Sequence, residues 1–379
     1  MEKLKSYFYK FFPNNNKNHR EKNLKSFIDS SVNLLKLSAF DFDAIQPFDS
    51  FQTKLKVYVK IFIYWLIVID LCILLIIAAI SLLSTPYDLQ KLTFGLPVVA
   101  SSLMIVIKYF LLFIKKQKLR KILKIIEPFS GKLHEKYQKD VKFFGRFVKI
   151  YLMSLLSPLI VNISTPIVTL LTTNEKTFPL QIEFPLKSEI FYPFLLLWTF
   201  WNLTIAFIVF YAVDVLVYGL IVTISIEFKI LRDEFEAVNS ENAMNKLIDR
   251  HNQLLKFCNQ LEEIFSPSFF YKFINSSFVI CFTAFQCSTS EEFSQILVNM
   301  TICIANMSQI GLQCFFGQML ENTSEGVANG IYFCDWENFE DLRIKNSIIL
   351  CIARAQKVAN VTTIKFRKIN FRLFAEVSL

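Results

Sequence analysis

The stretch YWLIVIDLCILLIIAAISLL, residues 64–83, decides the fold class. Asp70 is its one charged residue. At about 1.5 Å per residue, a helix of this length crosses about 30 Å of hydrocarbon. With the residues just before it, it forms a span at about 59–83. Working outward by the same test places further spans at about 94–114, 147–172, 191–222, 269–287 and 293–317. The fold class is therefore all-α, a polytopic membrane protein. Composition agrees: 53% of the 379 residues are apolar, and 41 Phe stand against 8 Gly. Mean hydropathy is +0.41.

Basic residues alternate across these spans. Residues 1–60 carry 11 Lys/Arg and residues 115–146 carry another 11, whereas 84–93, 173–190 and 288–292 carry one, two and none. Short cytoplasmic loops retain Lys and Arg because translocating them is unfavourable. The N-terminus is thus predicted to be cytoplasmic, and a seventh span would end outside. A G-protein-coupled receptor has the opposite orientation. The net charge of +9 follows from these inner loops and their attraction to anionic headgroups, so nucleic acid is not an implied partner and membrane lipid is. Residues 1–58 read as a cytoplasmic segment without a signal-peptide core, which leaves the first span as its own uncleaved insertion signal. The eight Cys are scattered and the three His lie far apart, so neither a disulfide framework nor a metal site is expected.

Span three contains Pro158 and Pro166, which are tolerated where neighbours re-satisfy the freed backbone groups. The apolar pattern of span four runs on from Phe191 to Phe228, about 57 Å as straight helix, so the helix is expected to leave the membrane. Beyond it Leu247, His251, Leu254, Cys258, Leu261 and Phe265 alternate in steps of four and three. Their flanks are charged. This heptad-like seam predicts a helical bundle in water, built from loops 115–146 and 223–268. Ile122, Leu123, Ile125 and Ile126 predict an amphipathic helix ended by Pro128. Span six is rich in Asn, Thr, Ser and Gln, which in lipid face the bundle. Residues 318–365 read as a cytosolic segment, acidic over 318–345, and 366–379 as the start of a seventh span. Asp70 is expected to find a partner within the bundle, and Asp214 to sit near the inner surface. Asn-x-Ser/Thr sequons fall in spans or on the inner side, and are not expected to be glycosylated. No phosphate loop, zinc-protease helix or serine-hydrolase elbow occurs, so nothing points to an enzyme or a cofactor.

From Cys314 the chain reads CFFGQMLENTSEGVANGIYFCDWENF, then IILCIARAQKV and KINFRLF. This resembles the insect odorant receptor family. Cys314, Gly317, Leu320, Ser324, Ile331, Tyr332 and Trp336 match one motif series. Arg354, Ala355, Gln356 and Lys357 match a second, with Val358 where Pro is usual. Asp214 with the VLVYGLIVTISIEFKIL that follows, and His251 with NQLLKFCNQLEEIFS, resemble the family's fourth span and fourth-to-fifth loop.

The resemblance implies a subunit of an odorant-gated, non-selective cation channel in the plasma membrane, serving the sense of smell. It acts in a hetero-tetramer with a shared co-receptor. The short fourth-to-fifth loop marks a tuning subunit. The implied subunit anchor includes Gly317, Ser324, Tyr332, Trp336, Arg354 and Gln356, each with the alternative of packing only its own subunit. The implied ligand is a small volatile odorant, held among spans two, three, four and six. By position the candidates are Val99, Leu103, Tyr151, Leu155, Trp198, Trp201, Ile205, Ile302 and Asn306. Each has the alternative of facing lipid or packing between helices. Family members continue past Leu379, so the seventh span is expected to be truncated and the chain as written to pass no current. The runner-up reading is the sister gustatory receptor family. A G-protein-coupled receptor lacks its D-R-Y and N-P-x-x-Y signatures here, and a transporter is the third reading.

Overall fold

The structure is a computed structural model that describes residues 24–40, 51–83, 89–126, 135–172, 174, 176–179, 184, 190–290, 293–364 and 366–378. Its six long helices are α2 (Phe51–Leu83), α3 (Leu89–Ile126), α4 (Gln138–Thr172), α5 (Tyr192–Glu236), α6 (Glu241–Thr289) and α7 (Phe293–Tyr332). All six contain a window long and apolar enough to cross a membrane. Shorter elements are α1 (Leu24–Leu37), α8 (Leu342–Gln356), an antiparallel pair β1 (Thr362–Thr363) and β2 (Arg367–Lys368), and α9 (Phe371–Ser378).

The helices overrun the hydrocarbon at their basic ends. At 49 residues α6 is about 73 Å long, more than twice the apolar thickness of a bilayer. Of the seam read from sequence, His251, Leu254, Cys258, Leu261 and Phe265 are buried and Leu247 is half-buried. Ser240 starts α6 by accepting a hydrogen bond from the Ala243 N–H. The amphipathic stretch at 119–126 is not a separate loop helix. It is the last part of α3, with Leu119 and Ile122 turned inward and Ile125 exposed. Pro128 lies outside the described residues. In α4, Pro158 cannot bond the Ser154 carbonyl, and Ser157 Oγ donates to that oxygen at 3.3 Å instead.

The core is organised around α5. Every residue from Tyr211 to Phe228 is buried. A helix covered on all sides belongs at the centre of its bundle. It packs most extensively on α7 and α1, and also on α6, α4 and α3. The sequence reading left α1 unassigned within residues 1–58. Its inward positions Ile28, Ser31 and Leu35 repeat at three and four, and all are buried. A chain of hydrogen bonds joins α1 to its neighbours. Tyr64 of α2 donates to the Tyr109 carbonyl of α3 at 2.6 Å, and Tyr109 donates to the Ser38 carbonyl at 3.1 Å.

Two glycines set how closely α7 approaches other backbone. A Cβ at Gly330 would lie 2.6 Å from the Arg232 carbonyl oxygen of α5, and one at Gly317 would lie 2.0 Å from the Ile369 carbonyl oxygen. In an open helix Gly→Ala gains about 0.5–1 kcal/mol. Gly330→Ala is expected instead to cost about 1–3 kcal/mol, because it forces two helix backbones apart. Thermal unfolding of the detergent-solubilised protein checks this, and an unchanged or raised Tm refutes it.

Candidate functional site

At the end of the bundle away from the basic segments lies a small apolar cluster. Leu74 and Ala78 of α2 and Phe184 form its centre, and Val98, Val99, Phe178, Leu195 and Trp198 pack around them. The Trp198 indole donates from Nε1 to Asp70 Oδ1 at 2.6 Å. This supplies the partner that an isolated carboxylate in a span requires. Val99 and Trp198 thus share one cluster, and Trp198 ties it to Asp70 within α2's apolar run.

The other sequence candidates separate. Tyr151 and Ile205 are buried in the main core and Leu155 packs against it. Leu103 is 46% exposed and Trp201 54% exposed on the outside of the bundle. Ile302 and Asn306 are half-buried on α7, and Asn306 donates its side-chain amide to the Ile302 carbonyl at 2.9 Å.

Deeper in the bundle is a constellation that the sequence reading missed. Asp214 of α5 is buried among neighbouring helices. Its Oδ1 accepts from the Lys108 ammonium of α3 at 2.9 Å. Its Oδ2 accepts from Lys272 of α6 and from the Tyr151 hydroxyl of α4. Lys272 also lies 3.3 Å from the Tyr218 hydroxyl, and Lys108 sits 4.3 Å from the centre of the Phe210 ring. The signal was present in sequence: Lys108 and Lys272 are lone charges within apolar runs, at MIVIKYFLLF and FFYKFI. Charges at such depth are rare and face a partner or a wet cavity.

At the basic end, Ser324 is fully buried and its Oγ accepts from the Ala359 N–H at 3.0 Å. Gly317 admits the Ile369 backbone, as described above. Trp336 packs partly against the core, whereas Tyr332, Arg354 and Gln356 are exposed. Arg354 donates to the Lys357 carbonyl at 3.1 Å. His251 Nδ1 and Cys351 Sγ meet at 3.5 Å and join α6 to α8, and burial pushes the Cys351 thiol up to about 11, so it stays protonated at neutral pH. Among the described residues, no group of three or more His, Cys, Asp or Glu is placed to hold a metal.

A family model described as 7tm Odorant receptor matches residues 88–378. The chain belongs to the odorant receptor family. Among curated relatives, Putative odorant receptor 85d of Drosophila melanogaster is 30% identical over 120 residues, 32% of this chain and 29% of the relative. Putative odorant receptor 92a of the same organism is 24% identical over 216 residues, 54% of this chain and 52% of the relative. The chain spans about a third of the length of the first three such relatives. In fold it is similar to the insect olfactory receptor OR5 from Machilis hrabei, solved in complex with eugenol. The TM-score is 0.79 at 14% identity, covering 94% of this chain and 95% of that one. The same receptor solved alone gives 0.78.

Asp214→Asn would leave two buried ammonium groups without a counter-charge, a change that typically costs about 3–5 kcal/mol. Loss of folded protein at the cell surface is expected. Lys272→Met leaves Lys108 and Asp214 as a neutral pair and is expected to be much milder. Surface biotinylation and Tm of the two variants side by side check this; equal effects refute it.

Proposed function

We propose that this chain is the odorant-tuning subunit of an odorant-gated cation channel. The observation that carries the reading is the fold likeness over 94% of the chain to an olfactory receptor that has been solved with an odorant bound. The chain would lie in the plasma membrane with residues 1–58 cytoplasmic, as the charge alternation favours. Residues 318–365, with the loops 115–146 and 223–268, would form the cytosolic anchor, and residues 366–379 would begin the seventh span.

The ligand would be a small, mostly apolar volatile. The proposed entry is the apolar cluster around Val99 and Trp198, with Tyr151, Leu155, Ile205, Ile302 and Asn306 deeper among α3, α4, α5 and α7. Shape and aromatic contact would dominate there, with few polar anchors. Trp198 is held in place by Asp70, so its ring presents a fixed wall. Leu103 and Trp201 would act from the outer surface of the bundle. A co-receptor would complete the hetero-tetramer at the basic end, where exposed Tyr332, Arg354 and Gln356 and half-buried Trp336 offer aromatic and hydrogen-bonding groups.

Two readouts test the two halves of this reading. Ligand binding is followed by thermal stabilisation of the purified chain with eugenol and a panel of small apolar volatiles. At least one is expected to bind saturably, and Val99→Trp, which fills the cluster, is expected to weaken it about tenfold or more while surface levels hold. Assembly is followed by co-purification with an insect odorant co-receptor, which Trp336→Ala is expected to reduce. Binding unaffected by Val99→Trp removes the pocket; failure to co-purify removes the partner.

A further inference from the structure

The hydrogen bonds from Tyr64 through Tyr109 to Ser38 brace a cleft between the end of α1 and the helices α2 and α3. α1 ends in a sharp turn. Ala39 takes a φ of 61°, the left-handed region that Gly usually fills, and the Phe40 N–H closes the turn on the Leu35 carbonyl at 3.0 Å. The turn seats Phe40 in a buried position, with its ring centre 5.9 Å from that of Tyr64 on α2. Tyr64 in turn stacks on Phe113 of α3 at 5.5 Å. Three rings from three parts of the chain are thus fixed side by side.

These rings line a shallow cleft, open on one side, together with Ala39, Val57 and Ile61. The rest of its lining is two lysines, Lys60 of α2 and Lys116 of α3. No carboxylate stands among the described lining residues. Lys115 and Lys118, the neighbouring lysines of α3, reach Glu263 of α6, so the lysines of this stretch divide between two faces.

The sequence sets the level of the cleft. Lys60 is the last charge before the apolar run of α2, and Lys115 and Lys116 are the first charges after the run YFLLFI of α3. Both lining lysines therefore stand where hydrocarbon gives way to headgroups, at the basic end of the bundle. Next to the lining residues in sequence, α2 exposes Tyr58, Val59 and Phe62, and α3 exposes Ile114. In a bilayer, exposed side chains of this kind meet lipid, with Tyr at headgroup level.

We propose that the cleft binds one anionic phospholipid of the cytoplasmic leaflet. Its phosphate oxygens accept from the Lys60 and Lys116 ammonium groups, and its glycerol and first methylenes rest on Phe40, Tyr64 and Phe113. A lining that is aromatic apart from two cations suits an amphiphile, whereas a free anion gains nothing from the rings. The site differs from the diffuse pull of basic loops on a charged membrane, because two lysines of separate helices serve one headgroup. A lipid held there joins the end of α1 to α2 and α3.

The test uses the full chain purified in a neutral detergent, with bound lipid counted by native mass spectrometry. Phosphatidylserine or phosphatidylcholine is added in steps. One phosphatidylserine is expected to be retained at concentrations where phosphatidylcholine is not. Lys60 is exposed, so Lys60→Gln is expected to fold normally and to weaken retention about fivefold. Adding Lys116→Gln is expected to bring the loss to about thirtyfold. Lys115→Gln with Lys118→Gln removes the same charge from the Glu263 side and is expected to change retention little. Ile61→Trp fills the cleft without altering charge and is expected to weaken retention as well. Millimolar inorganic phosphate is expected not to displace the lipid. Equal retention of the two lipids overturns the proposal, as do equal losses in the two double variants, which reduce it to diffuse attraction. Displacement by inorganic phosphate overturns it in favour of a free anion.

Discussion

Among the described residues, Asp214 is the one carboxylate that four spanning helices share. It belongs to α5 and accepts hydrogen bonds from Lys108 of α3, Tyr151 of α4 and Lys272 of α6. In water such a cluster would compete with solvation, and its net worth would be small. Within a bilayer the balance changes. Lipid tails are as apolar as Leu, so the hydrophobic effect does not hold one spanning helix against another. Packing and buried polar contacts must do it, and a charge that loses its partner there has nowhere to go.

The position of Asp214 explains why α5 lies at the centre. A helix that carries the shared acceptor must be reachable from several sides, and Tyr211 to Phe228 are covered all round. Tyr218, one turn further along, extends the same arrangement by stacking on Phe316 of α7 at 4.7 Å between ring centres. Beyond the apolar region the principle continues in aqueous form. Arg250 of α6 bonds both Glu227 and Glu234 of α5, and Lys229 bonds Asp140 of α4 at 2.9 Å. One helix is thus stitched to its neighbours by ion pairs over its second half, from Asp214 to Glu234.

Much of this architecture was legible in the sequence, and the limits of legibility have physical causes. Hydropathy finds spans because an unsatisfied backbone is intolerable in lipid, which forces long apolar helices. The seam from Leu247 to Phe265 was readable because helical period alone determines a buried face. What one helix does not encode is its rotation against the others. Trp198, Asn202 and Ile205 follow in steps of four and three and turn inward, whereas Trp201, on the neighbouring face, is exposed. Nothing in the local pattern separates the two tryptophans. Nor could Asp214 be assigned a depth from its own surroundings. Its two lysines lie 106 and 58 residues away in the chain. The helix α1 was hidden for another reason: its pattern is short and amphipathic, and only its packing on α5 makes it part of the core.

The same comparison separates two kinds of site in one bundle. Near the loop end, Trp198 satisfies Asp70 one-to-one, and the surroundings are otherwise apolar side chains. That is a wall of mostly apolar side chains with one carboxylate held by an indole N–H. Near Asp214 the count is two to one, and α6 and α7 bring buried amides among their apolar residues. Burying Gln286, Asn299 and Gln313 without partners costs more than placing apolar residues of similar size there would. A seam with this composition gains nothing as inert packing between lipid-embedded helices. Its residues fit an interior that holds polar groups and charge, next to a cluster of apolar side chains around Trp198.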